Sequence, residues 1–237
     1  AAGPGPASGT VMVTPQNTPV APSFTSAAST SFTVLSASNF NVTASGVPLP
    51  TMSLFSGALP TGVTFNASPS TGTGSLSGTP ASGTAGSYPL TFRASNASGT
   101  PNQSFSLTIN KANQSINFAN PGTRNFSLIP FAISASATSG LTLTFTSNTP
   151  GVCTVAGSNV TTVATGVCSI SADQAGNADY NAALQVTQGF TVNAGSQSIT
   201  FGAQTSPRNF STTPFALSPV AFSTSGLTIA YTTTTPS

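Results

Sequence analysis

The sequence predicts an all-β protein built from consecutive β-sandwich domains, the last one incomplete. Three observations carry that expectation. Apolar residues recur with period two in short runs: in Leu141-Thr-Leu-Thr-Phe145 the large side chains fall on one face and the threonines on the other, the pattern of a strand with one buried side. No stretch of twelve residues spaces its apolar positions by three and four as a helix requires. Finally, RNFSLIPFAIS at residues 124–134 returns as RNFSTTPFALS at residues 208–218, 84 residues later, and a period of that size is a whole sandwich domain rather than a solenoid rung.

Residues 1–19 are rich in Pro, Gly and Ser except for Val11-Met-Val13. This stretch reads as a linker, with the end of a preceding strand or a free strand for exchange as alternatives, so Val11 and Val13 are candidate contact residues. Residues 20–110 form the first unit. PSFTS, SFTVLS, FNVTASGVPLP, LPTGVTFN, GSLSGTP, AGSYPLTFRASNASG and SFSLTIN follow one another, giving at least six strand candidates bounded by Gly, Pro, Asn or Ser.

Residues 111–193 form a second unit, and residues 194–237 repeat its first half. Gln114-Ser-Ile-Asn-Phe118 matches Gln197-Ser-Ile-Thr-Phe201, Ser139-Gly-Leu-Thr142 matches Ser225-Gly-Leu-Thr228, and the offset drifts from 83 to 86 through small insertions. Half a sandwich leaves an uncovered apolar face, here Phe201, Phe215, Leu227, Ile229 and Tyr231, which calls for cover from a continuing polypeptide or from another chain. Self-association or further domains of the same kind are therefore the expected partners.

Composition excludes several classes. Only 3% of residues are Asp, Glu, Lys or Arg, against roughly 25% in an average soluble domain. The inventory is Arg93, Lys111, Arg124, Arg208, Asp173 and Asp179, with no His, Glu or Trp. A scattered net charge of +2 builds no field for nucleic acid or an acidic membrane, and no apolar run is long enough to insert in a bilayer. Without His, a Ser or Cys nucleophile lacks its usual base. Glycoside hydrolysis needs two facing carboxylates, and Asp173 and Asp179 sit in one loop. Structural zinc needs about four Cys or His ligands. No catalytic residue, metal or cofactor is expected.

Cys153 and Cys168 are read as a structural staple. Between them lie two turns, at Gly157-Ser-Asn159 and Ala164 to Gly166, so a three-strand meander brings the second thiol back to the first. A bridge closing a loop of about 15 residues contributes roughly 3 kcal/mol. Arg124 and Arg208 occupy equivalent places in two repeats and read as solvated strand ends, or as donors to backbone carbonyls at a junction. Phe131, Phe145 and Phe190 alternate with polar residues and read as core.

Leu59-Pro-Thr-Gly-Val-Thr-Phe65, Gly74-Ser-Leu-Ser-Gly-Thr-Pro80, Tyr88-Pro-Leu-Thr-Phe92 and Ala94-Ser-Asn-Ala-Ser-Gly99 together resemble the immunoglobulin-like domains of bacterial surface proteins, relatives of cadherin modules. The Gln-Ser-Ile-x-Phe openings, the Cys-Thr-Val and Cys-Ser-Ile pair and the loop Gln174 to Ala182 resemble a second kind of bacterial immunoglobulin-like repeat. The resemblance implies tandem immunoglobulin-like β-sandwiches in a long extracellular or cell-surface protein, acting as a stalk, filament or adhesive rod. An adhesin or accessory ligand- or carbohydrate-binding module of a secreted protein is the alternative. Cadherin relatives bind calcium through several carboxylates, which this chain lacks, since calcium takes six to eight oxygens, several of them anionic.

Overall fold

The computed structural model describes Gly3 and residues 18–69, 71–203, 212–214, 216–225 and 227–232, and among these there are strands, turns and bends but no helical segment. The all-β reading holds. The chain divides into two compact units, one of residues 1–115 with Gln174–Ala183, the other of Ile116–Asp173 with Leu184–Ser237.

The first unit contains β1 (Val20–Phe24), β2 (Ser29–Thr33), β3 (Ser38–Val47), β4 (Thr51–Ser56), β5 (Val63–Ser68), β6 (Thr73–Gly78), β7 (Gly86–Ser95) and β8 (Asn102–Asn110). They form two four-stranded sheets, β1-β3-β6-β5 and β2-β8-β7-β4. All pairs are antiparallel except β2 with β8. This is the immunoglobulin division of strands between two sheets, with a split first strand that serves both. Period two does the work the sequence promised: along β8, Phe105, Leu107 and Ile109 are buried while Ser104 and Ser106 face water.

Four phenylalanines tie the sheets together. Phe92 of β7 meets Phe65 of β5 at 4.7 Å between ring centroids and Phe105 of β8 at 5.2 Å, and Phe105 in turn meets Phe40 of β3 at 5.4 Å. Offset and edge contacts of this kind add to the burial of the rings themselves.

The phrase Leu59 to Phe65 with Gly74 to Pro80 has a physical reason. Gly62 and Gly78, both at positive φ, lie face to face; a Cβ on Gly62 would strike the Thr79 carbonyl, and one on Gly78 the Gly62 carbonyl. The ring of Phe65 covers Gly74 so closely that no side chain fits there. Only glycine allows these backbone and ring approaches.

The sequence reading missed β4. Thr51-Met-Ser-Leu-Phe-Ser56 begins in period two but ends with the adjacent apolar pair Leu54-Phe55, and the ladder to β7 is irregular at that point, between Leu54 and Ser56. A bulge of this kind breaks the alternation on which the reading relied.

The second unit contains β9 (Ile116–Phe118), β10 (Arg124–Asn125), β11 (Phe131–Ala132), β12 (Ala135–Ala137), β13 (Thr144–Ser147), β14 (Cys153–Ala156), β15 (Asn159–Thr162), β16 (Gly166–Asp173) and β17 (Val186–Asn193), followed by β18 (Ile199–Thr200) and β19 (Phe222–Ser223). Its sheets are β10-β17-β16-β13, β11-β15-β14 and the pair β12-β9. Taking β11 and β12 as one strand interrupted at Ile133-Ser134, the order repeats that of the first unit strand for strand. The parallel contact recurs as well, between β10 and β17. The strand expected at residues 141–145 joins its ladder only at Thr144, although Leu141, Leu143 and Phe145 do lie on one part-buried face.

The expected three-strand meander is corrected. β14 and β15 form a hairpin, but β16 leaves it and pairs with β13 and β17 in the other sheet. The ladder of β15 stops at Thr162, and the chain crosses over before Gly166, which adopts positive φ.

Candidate functional site

Each residue singled out from the sequence has a place in the structure or lies outside its described part. Val11, Val13 and Phe215 lie outside the described residues. Cys153 of β14 and Cys168 of β16 are joined by a disulfide, with Cα atoms 5.7 Å apart and both residues fully buried. Because β14 and β16 belong to different sheets, the bond crosses the interior of the second unit. The Ser147 hydroxyl donates to the Cys153 carbonyl at 2.7 Å and fixes β13 beside it.

The last part of the second unit, after β17, repeats the unit's opening ladder. In β9 and β12, Ile116 pairs with Ala137 and Asn117 with Ser136; in β18 and β19, Ile199 pairs with Ser223 and Thr200 with Phe222. These are the same positions once Pro219-Val220 is counted as an insertion. The ring pair Phe118–Phe145, 5.5 Å apart, likewise returns as Phe201–Tyr231 at 5.8 Å. The turn also recurs, with the Leu141 and Leu227 amides donating to Ser139 and Ser225 Oγ.

Burial differs between the two. Phe118 is 4% exposed and packs beside β16 and β17, whereas Phe201 is 51% and Leu227 65% exposed. Ile229 is half-buried and Tyr231 exposed. Phe201, Leu227, Ile229 and Tyr231 thus lie in one segment, and three of them remain open to solvent.

Two features were not legible in the sequence. Arg124 is exposed in β10, as a solvated strand end is expected to be, and its guanidinium also lies over the Phe131 ring, 4.5 Å from the centroid. Such a contact satisfies a cation without an acid nearby.

Asp179 is the second. Residues Gln174–Ala183 belong to the first unit, although the chain reaches them from β16 and leaves them toward β17. Within that unit the buried Asp179 carboxylate accepts hydrogen bonds from the Ser82 hydroxyl and the Gly83 amide, both at 2.5 Å. The Lys111 ammonium donates to the Asn177 carbonyl at 2.7 Å, the Ala112 amide donates to the Asp179 carbonyl, and the Asn181 amide donates to the Ala112 carbonyl.

The Gly83 amide first, then the Ser82 hydroxyl, hold the Asp179 pKa below its ordinary value; burial opposes them and Lys111 adds to them. A depressed folded-state pKa means the anchorage is complete above the ordinary carboxylate value of about 4 and fades as pH falls through the lower folded value. Asp179→Asn is therefore expected to melt earlier than wild type near pH 7, the difference closing toward pH 2. Thermal melts across that range check it, and parallel curves would count against the anchor.

Both thiols are consumed in the disulfide, Asp173 accepts two hydrogen bonds from the Gln185 amide at 2.8 and 3.0 Å, and no group of three His, Cys, Asp or Glu side chains comes together among the described residues.

Residues 10–110 match the family described as "Putative Ig domain", in agreement with the strand order of the first unit, which is an immunoglobulin-like sandwich. No curated protein matches the chain in sequence. Among solved structures, the titin domains Z1Z2 in complex with telethonin are 18% identical, with 73% of this chain and 96% of that one covered and a TM-score of 0.47. Drosophila N-cadherin EC1-4 is 15% identical, covering 74% of this chain and 50% of that one, TM-score 0.37. An endo-fucoidan hydrolase of glycoside hydrolase family 107 is 17% identical over 74% of this chain, which spans only 29% of the hydrolase, TM-score 0.32.

Proposed function

We propose that this protein is a structural, non-catalytic component of a cell surface: an extracellular stalk or filament whose immunoglobulin-like domains follow one another along the polypeptide, at residues 20–110, at 111–193 and from 194 onward. The observation that supports this most is repetition in register. The second unit rebuilds the strand order of the first, and β18 with β19 rebuild the opening ladder of the second down to its aromatic pair. The open apolar residues Phe201, Leu227 and Tyr231 then take their cover from further domains of the same kind or from further copies.

Low charge suits the role. With 3% of its residues ionisable, the surface is mostly neutral hydroxyl and amide, and neighbouring domains meet without like-charge repulsion and with little dependence on salt. The buried disulfide fits an oxidising, extracellular setting.

An antibody raised against residues 20–110, applied to material sheared from intact cells, tests the proposal. A denatured surface band far heavier than 23.3 kDa supports a long multidomain chain, and assemblies that dissociate to about that mass support a polymer of subunits. Antigen confined to the cell interior would defeat the proposal.

A further inference from the structure

We infer that the solvent face of the β2-β8-β7-β4 sheet is a binding site for an anionic polysaccharide, with Arg93 as the residue that takes its acidic group. This goes beyond the structural role and does not depend on it.

Alternation sends Met52 and Leu54 of β4 inward, and it leaves Phe55, next to the bulge, on the outside and half exposed. A large aromatic on the solvent side of a sheet is the informative exception to burial. Arg93 of β7 lies over it, its guanidinium carbon 3.5 Å from the ring centroid, and its Nε donates to Asn102 Oδ1 at 3.0 Å. Stacked on the ring and tethered at Nε, the guanidinium is held in place by two contacts that leave its terminal nitrogens out of the tether. That planar fork matches a carboxylate or a sulfate.

Among the described residues no acidic side chain answers it. The two acidic side chains of the sequence are engaged elsewhere, Asp173 by Gln185 and Asp179 by Ser82 and Gly83.

The surface beside Arg93 narrows the class of ligand. Ser53, Arg93 and Asn102 form one cross-strand row and Ser56, Thr91 and Ser104 the next, roughly 7 Å away at two residues along a strand. An open groove of about 440 Å³ runs from that second row, lined by Ser56, Thr91, Ser104 and Ser106 with Pro89 and Ala28. Short hydroxyls over small apolar patches suit a sugar ring, which alternates hydroxyl and C–H faces. A nucleic acid would need several cations along its backbone, and this face carries one.

The test uses the whole chain in gels containing a polyuronate, a sulfated galactan or neutral dextran. At least one anionic polymer should retard the wild type while dextran does not; which one does so separates a carboxylate from a sulfate ligand. Arg93→Gln should abolish retardation, and Arg93→Lys, which keeps the charge but loses the fork, should weaken binding about tenfold. Phe55→Ser should also weaken it, and Arg124→Gln should leave it unchanged. Unaltered melts show that the variants fold. The proposal fails if neither polyanion retards the protein, if dextran does so equally, or if Arg124→Gln costs as much as Arg93→Gln. Such a failure leaves the stalk or filament reading standing, because that reading is decided by the mass and location of the surface component.

Discussion

Phe92→Ala is expected to remove about 4 kcal/mol from the first unit, within the range for deleting a buried phenylalanine. Phe92 is fully buried and is the one ring in contact with both Phe65 of the opposite sheet and Phe105 beside it. Truncation therefore opens a gap where the two sheets meet, takes from Phe65 its ring partner and leaves Phe105 only its contact with Phe40. Neither is free to fill the gap: Phe65 lies over Gly74 beside the β5-β6 ladder, and Phe105 packs against Phe40 of the opposite sheet. Against a typical domain stability of about 5–15 kcal/mol, the loss takes the unit close to unfolding. Phe92→Leu, which keeps most of the volume, should cost less than about 1.5 kcal/mol. Chemical denaturation followed by circular dichroism separates the two, and a Phe92→Ala protein as stable as the Leu variant would mean that this ring pair does not hold the sheets.

The fold was legible where local pattern and tertiary environment agree. Phe105, Leu107 and Ile109 alternate with Ser and Thr, so burial of one face could be read from the letters. The glycines of the Leu59–Phe65 and Gly74–Pro80 phrases were visible as a motif, but the face-to-face approach of Gly62 and Gly78 that requires them was not. β4 was missed because Phe55 follows Leu54 directly, and that same residue is half of the Arg93 cluster. Rules that find cores pass over residues placed against the rule, which is where functional or strained positions are expected.

The same limit explains Asp179 and Arg124. Asp179 meets Ser82 and Gly83, 97 and 96 residues away along the chain, and Arg124 meets Phe131 through the fold of a turn rather than through strand spacing. Sequence periodicity reports which face of an element is buried. It carries no information on which distant loop a side chain will touch.

Replacing Cys153 and Cys168 together by alanine is expected to destabilise the second unit by about 3 kcal/mol, the value for a closed loop of this length, the cysteines being 15 positions apart. The count of cysteines gave the pairing, but the correction to its placement raises its importance. In a meander the bond would only have reinforced a hairpin already held by hydrogen bonds. Joining β14 to β16 instead, it connects two sheets that share no backbone ladder. The short strands make this matter: β14 and β15 pair over four residues each, and β9, β10, β11 and β12 over three or two. With so little ladder, the second unit relies more on its cross-link than the first, whose strands run to ten residues. Alanine is the better probe than serine, because both sites are fully buried and a new hydroxyl there would add its own desolvation cost. At about 4–8 °C per kcal/mol for a domain of this size, the melting transition of the second unit should fall by roughly 12–24 °C, and a reducing agent should move the wild type the same way without moving the variant. Coincident melts of oxidised, reduced and variant protein would show that hydrophobic contact alone joins the two sheets.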